Sequence, residues 1–194
     1  GLNVHAMTLS AHKIYGPKGV GALVLDKRIE LKPLVSGGGH EQGLRSGTEN
    51  VPGIVGFGAA CELAGQRLRE LAPRLAALRA QFERGLQGMS PVIFGAGAPR
   101  IPNTSYFAFP GIEGETLVVE LDKAGYAVAS GAACSSANPE PSATLLAMGV
   151  APELARGAVR LSLGVQNTPQ QVDAFLHAVE GVLGRFKRLT AMAV

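Results

Sequence analysis

From about residue 90 onward, short apolar runs alternate with stretches of helical spacing, and this alternation restricts the fold more than any other feature. "SYFAF" (105–109), "YAVAS" (126–130) and "VRLSL" (159–163) read as strands, whereas "GETLVVELDKA" (114–124) and the segment after Thr168 read as helices. Elements of both kinds bury their apolar sides by stacking in layers, which predicts an α/β architecture. The last helix is the most clearly signalled. Thr168 suits the N-cap, Pro169 the first helical position, and Gln171 stands three residues after the cap. Val172, Phe175, Leu176, Val179, Leu183 and Phe186 then form an apolar stripe. Arg185, Lys187 and Arg188 complement the negative end of the helix dipole.

The upstream part is punctuated by glycine. "VGALVL" (20–25) is a short apolar run between turn residues and predicts a buried strand. "SGGGHEQGLRSGTENVPG" (36–53) is too rich in glycine to pack as a regular element and reads as a functional loop. "VPGIVGFGAACELAGQRLREL" has helical spacing weakened by Gly56, Gly58 and Gly65. A second helix is expected after Pro73, with Leu75, Leu78, Phe82 and Leu86 inside and Arg74, Arg79 and Arg84 outside. The change of composition near residues 66–73 predicts two lobes, 1–66 and 67–194.

Several function classes are disfavoured. A net charge of +3 is mild and dispersed, and 5% aromatics without Trp offers no base-stacking platform, so nucleic acid is not expected as a partner. Gly, Pro or a charge interrupts every apolar run before the roughly 18 to 20 residues a membrane span needs. "GLNVHAMTLS" does not resemble a signal peptide, which predicts a cytoplasmic protein in which Cys61 and Cys134 form no disulfide. No metal site is expected, because His40 has no partnering ligand at suitable spacing, and His5 and His177 read as structural.

Four places could carry chemistry. In "SAHKIYGPKGVGALVL", Lys13 lies between a histidine and an apolar strand. It is either a surface lysine at a strand end or a Schiff-base lysine, with Ser10 and His12 as donors to a phosphate-bearing aldehyde. Gly37, Gly38 and Gly39 could gather backbone N–H groups into an anion nest, with Arg45, Ser46 and Thr48 as further donors, or form a plain flexible loop. Cys61 on an apolar helical face reads as a small buried hydrophobe. Cys134, in "SGAACSSANPEPS", reads as an exposed thiol on a mobile loop able to reach a buried cofactor. Arg160 points away from Val159 and Leu161 on its strand, either simply into solvent or as a rigid clamp for a carboxylate.

Taken together, "SAHKIYGPKGVGAL", "GGGHEQGLRSGTENVPGIVGFG", "SGAACSS" and "VRLSLG" resemble the cysteine desulfurases of the NifS and IscS type, within the class V aminotransferase group. The resemblance runs from near residue 1 to about 187. It implies the end of a pyridoxal-phosphate-dependent large domain followed by a small α/β domain carrying the cysteine loop. It further implies that Lys13 binds pyridoxal 5'-phosphate, that Ser10 and His12 contact its phosphate side, and that Thr48 reaches the phosphate across a homodimer interface. By the same resemblance Cys134 takes sulfur from L-cysteine as a persulfide, Arg160 holds the substrate carboxylate, and sulfur-acceptor or iron-sulfur scaffold proteins are the partners.

One departure stands beside these matches. In the family a stacking histidine, an aspartate for the pyridine nitrogen and a glutamine near the ring oxygen lie upstream of the lysine, and here only twelve residues precede Lys13. The aspartates of this chain are Asp26, Asp122 and Asp173, and none is suitably placed. The sequence therefore reads as the C-terminal half of a desulfurase. A non-catalytic module docking sulfur-transfer partners, or another class V enzyme such as an aminotransferase or selenocysteine lyase, are the alternatives.

Overall fold

The computed structural model describes residues 3–131 and 140–192. The chain divides into two compact units, Gly1–Arg69 and Glu70–Val194.

In the first unit, β1 (Ala6–Ser10) and β2 (Gly21–Leu25) form an antiparallel ribbon, in register from Ala6 opposite Leu25 to Ser10 opposite Gly21. The helix α1 (Val51–Leu86) begins here, and Asn50 caps it by accepting from the Gly53 N–H at 3.2 Å. Within this unit α1 buries a narrow stripe of Gly53, Phe57 and Ala60. Two expectations fail for one reason. "VGALVL" is not a buried strand, since Leu23 and Val24 are about half exposed, and Cys61 is exposed rather than buried. A two-stranded ribbon cannot be covered on both faces by the loop and the half-helix of this unit, and Cys61 lies one residue, about 100°, beyond the buried stripe.

The second unit has a four-stranded antiparallel sheet in the order β3-β4-β6-β5: β3 (Val92–Ile93), β4 (Thr104–Ala108), β6 (Val159–Ser162) and β5 (Ala129–Ser130). On one face, the second half of α1, α2 (Gly114–Lys123) and α5 (Pro169–Met192) pack on the sheet. There Leu78, Phe82, Leu117, Leu121, Phe175 and Val179 meet Phe107, Phe109, Val159 and Leu161. On the other face, α3 (Ala143–Ala147) and α4 (Pro152–Arg156) bring Leu145 and Ala155 onto Phe94, Ala108 and Ala158. Gly114, at the start of α2, admits no side chain, because a Cβ would stand 2.8 Å from the carbonyl oxygens of Arg156 and Ala158.

Three boundaries differ from the sequence reading. Pro73 does not start a second helix, because α1 runs through it. Proline costs a helix one N–H, here the donor to the Arg69 carbonyl, and the division between the units falls at that residue. The strand predicted over 126–130 shrinks to Ala129–Ser130, because the Tyr126 N–H is still bonded to the Leu121 carbonyl at 2.9 Å and holds the chain to the end of α2. Arg79 is not outside. It is half-buried, donates to the Ile101 carbonyl and faces Glu83, which accepts two bonds from Arg100 (2.8 and 3.0 Å) and one from the Ser105 hydroxyl (2.8 Å). Burial pushes the Glu83 carboxyl up, but the hydrogen bonds from Arg100 and Ser105 and the charges of Arg100 and Arg79 outweigh it and hold the group below its usual range. The capping box of α5 forms as expected: Gln171 N–H donates to Thr168 Oγ1 at 3.3 Å, and Thr168 N–H donates to Gln171 Oε1 at 3.1 Å.

Candidate functional site

Between β1 and β2 the chain leaves the ribbon to make a 3-10 turn over Ala11–Ile14, closed by Tyr15 in the left-handed region (φ 67°). Two backbone bonds fix this excursion, Ala11 N–H to Val20 O at 3.1 Å and Gly16 N–H to Ala11 O at 2.9 Å. Ala11 is fully buried, and a side chain at Gly16 would strike both the Ala11 carbonyl and the Ala60 methyl at 3.0 Å. The turn is thus pinned to α1 on its inner side, and Lys13 and His12 project from its exposed outer side, with Ser10 at the end of β1. None of the Ser10, His12 and Lys13 side chains makes a hydrogen bond or ion pair among the described residues. A rigid turn therefore holds an uncommitted amine, hydroxyl and imidazole within four residues.

The glycine loop is ordered by its own backbone. Gly39, Gly43 and Gly47 take φ of 79°, 81° and 112°, and Gly43 N–H donates to the carbonyls of Gly39 (3.1 Å) and His40 (2.9 Å). Ser46 is buried and its N–H donates to Val35 O at 3.1 Å. His40 lies over Gly38, where a Cβ would come within 3.0 Å of its Cε1, and its Nδ1 is buried without a partner among the described residues. Thr48 is exposed and stands two residues before the cap of α1.

In the second unit Arg160 sits on β6, which is paired on both sides: Tyr106 of β4 opposes it on one side and Ala129 of β5 on the other. Its neighbours Val159 and Leu161 are buried, while Arg160 and Ser162 face out. Arg28, Arg74, Arg79, Arg100 and Arg185 are engaged with carboxylates or carbonyls, but the Arg160 guanidinium has no such partner among the described residues. Cys134 lies outside the described residues, four positions after the end of β5 at Ser130.

The first-unit turn fits the aldehyde and phosphate ends of pyridoxal phosphate, since Lys13 is an uncommitted amine with two uncommitted donors beside it. Within the first unit no uncommitted aspartate is offered to the ring nitrogen: its one aspartate, Asp26, accepts from Arg28 at 2.7 and 2.9 Å. Two clefts, one in each unit, hold none of Ser10, His12, Lys13, Thr48 and Arg160, although Arg45 lines the one in the first unit. Among the described residues no three His, Cys, Asp or Glu side chains could share a metal ion, and no helix is long and apolar enough to cross a membrane. The sequence reading missed Tyr106 and the Glu83 cluster, in which Arg100 and Ser105 lie 17 and 22 residues from Glu83 and leave no periodic signal.

Comparison with known proteins bears on the family and the fold. Residues 1–175 match the family model described as aminotransferase class-V. A curated relative named cysteine desulfurase IscS from Clostridium botulinum is 40% identical over 195 residues, covering 98% of this chain and 49% of the relative. A cysteine desulfurase from Bradyrhizobium diazoefficiens is 44% identical over 185 residues, covering 95% and 47% respectively. Among solved structures, a NifS-like protein superposes with a TM-score of 0.84 at 40% identity over 94% of this chain and 47% of that one. The chain thus spans about half the length of the curated relatives it matches. With the fold, the family model and these relatives in agreement, the chain belongs to the class-V aminotransferase family, and the relatives it resembles are named cysteine desulfurases.

Proposed function

We propose that the chain is the portion of a cysteine desulfurase that carries the cofactor lysine and the sulfur-accepting cysteine, removing sulfur from L-cysteine to leave L-alanine and a persulfide on Cys134. One observation within the second unit carries this reading: Arg160 is fixed between two strands, and the strand beside it leads within four residues to Cys134. A rigid guanidinium binds a substrate carboxylate by paired charge-assisted hydrogen bonds, and a thiol four residues along the chain from β5 is the group proposed to take the substrate sulfur.

Pyridoxal phosphate, when bound through Lys13 with Ser10, His12 and the partner copy's counterpart of Thr48 at its phosphate, supplies the electron sink that C–S cleavage requires. Arg160 orients the substrate, and Lys13 Nζ carries protons between its carbon atoms. The Cys134 thiolate attacks the substrate sulfur; an S–S bond forms, the C–S bond breaks, and its electron pair stays on carbon, which takes a proton to complete the alanine methyl group. The persulfide sulfur then passes to a thiol-bearing acceptor or an iron-sulfur scaffold. This reading places the protein in the reducing cytoplasm as a homodimer.

The test is alanine and persulfide formation from L-cysteine in variants of the cofactor-loaded protein. Cys134→Ala is expected to abolish both, and alanine formation at an undiminished rate would overturn the assignment. Arg160→Ala is expected to raise KM for L-cysteine on the order of 10- to 100-fold, the loss of a charge-assisted pair, with Arg160→Lys in between.

A further inference from the structure

Gly131 is the last described residue before the Cys134 segment, and its backbone gives no reason for glycine, since its φ is not in the left-handed region. The reason is a neighbour. A Cβ at position 131 would lie 2.3 Å from the Tyr106 hydroxyl oxygen, 2.9 Å from the Ala158 methyl and 3.3 Å from the Ala158 carbonyl oxygen. The tyrosine is itself held in place, its ring packed on Phe94 at a centroid distance of 5.3 Å. Gly131 is drawn onto β6 by its N–H, which donates to Ala158 O at 2.7 Å. Tyr106 is also the direct cross-strand neighbour of Arg160, so one side chain stands beside the proposed carboxylate clamp and against the root of the cysteine segment.

We propose that Tyr106 is a positioning residue whose phenol packs against Gly131, which sits opposite Ala158 just before β6, and thereby fixes where the chain leaves β5 on its way to Cys134. This rests on the reading of Cys134 as sulfur acceptor, but the contact itself is testable without turnover. The measurement is the alkylation rate of Cys134 by iodoacetamide relative to Cys61, the exposed thiol of α1, followed by peptide mass spectrometry in the wild type, Gly131→Ala, Tyr106→Phe and the double variant.

Gly131→Ala is expected to change the Cys134:Cys61 ratio at least ~3-fold, and adding Tyr106→Phe, which removes the oxygen at 2.3 Å but leaves the Ala158 methyl at 2.9 Å, to recover part of that change, as coupled contact residues do. Additive effects, or an unchanged ratio in Gly131→Ala, would overturn the proposal. Should Gly131→Ala fail to fold, Tyr106→Ala in the presence of Gly131 must by itself shift the ratio. If instead the desulfurase reading is at fault, Cys134→Ala still forms alanine while the coupling between residues 106 and 131 persists, so the two failures are separable.

Discussion

The two units use similar apolar runs to opposite ends. In the second, Phe82, Phe107, Leu117, Leu121, Val159 and Val179 are completely buried between a sheet and three helical segments. In the first, Leu23, Val24, Val51, Ile54, Val55 and Leu63 remain exposed around a two-stranded ribbon and half a helix. The difference lies in the number of layers: an apolar strand is buried only when another element covers each apolar face. The candidate chemistry follows the same division. The Lys13 turn stands out from the first unit, whereas Arg160 is locked between paired strands of the second.

The largest expected effect separates the units by stability. Phe82→Ala should destabilise the second unit by about 3–5 kcal/mol, whereas Leu23→Ala in the first should fall within about 0.5 kcal/mol, both read from denaturant midpoints. Equal effects would remove the contrast. Next comes Glu83→Ala, which strips half-buried Arg79 and Arg100 of their carboxylate and should cost on the order of 1–3 kcal/mol. Its pH dependence has a definite sign. The folded Glu83 pKa lies below its unfolded value, so the stabilisation is full above the ordinary carboxylate range, near pH 4.5, and is lost as pH falls through the folded value. Glu83→Gln should flatten that acid limb of the stability profile, and an unchanged limb would reassign it. The smallest effect is the cap of α5: Thr168→Ala should lower stability by about 1 kcal/mol through loss of the bond to the Gln171 N–H, visible as a shift in the thermal midpoint of the second unit.

The sequence reveals most where local chemistry decides the outcome. Thr168, Pro169 and Gln171 announce the start of α5 because a capping box involves neighbours only. The alternation around Arg160 is legible for the same reason, since strand period acts over a few residues. What periodicity cannot show is which face finds a partner. "VGALVL" carries the pattern of a buried strand without the covering layer, and Cys61 misses the buried stripe by one helical step. Pro73 misleads because packing of Leu75, Leu78 and Phe82 outweighs the lost hydrogen bond. Tyr106 and Gly131 meet only once β4 and β5 have both paired with β6, so neither could be singled out beforehand.

The assignment of Lys13 is tested most directly by a trapping experiment on the 194-residue chain. The protein is incubated with pyridoxal phosphate, reduced with borohydride and mapped by peptide mass spectrometry alongside Lys13→Ala. Labelling concentrated on Lys13, and lost without transfer elsewhere in the variant, is the expected result. Labelling spread evenly over Lys13, Lys18, Lys27 and Lys32, or undiminished in Lys13→Ala, would contradict the placement of the cofactor at this turn.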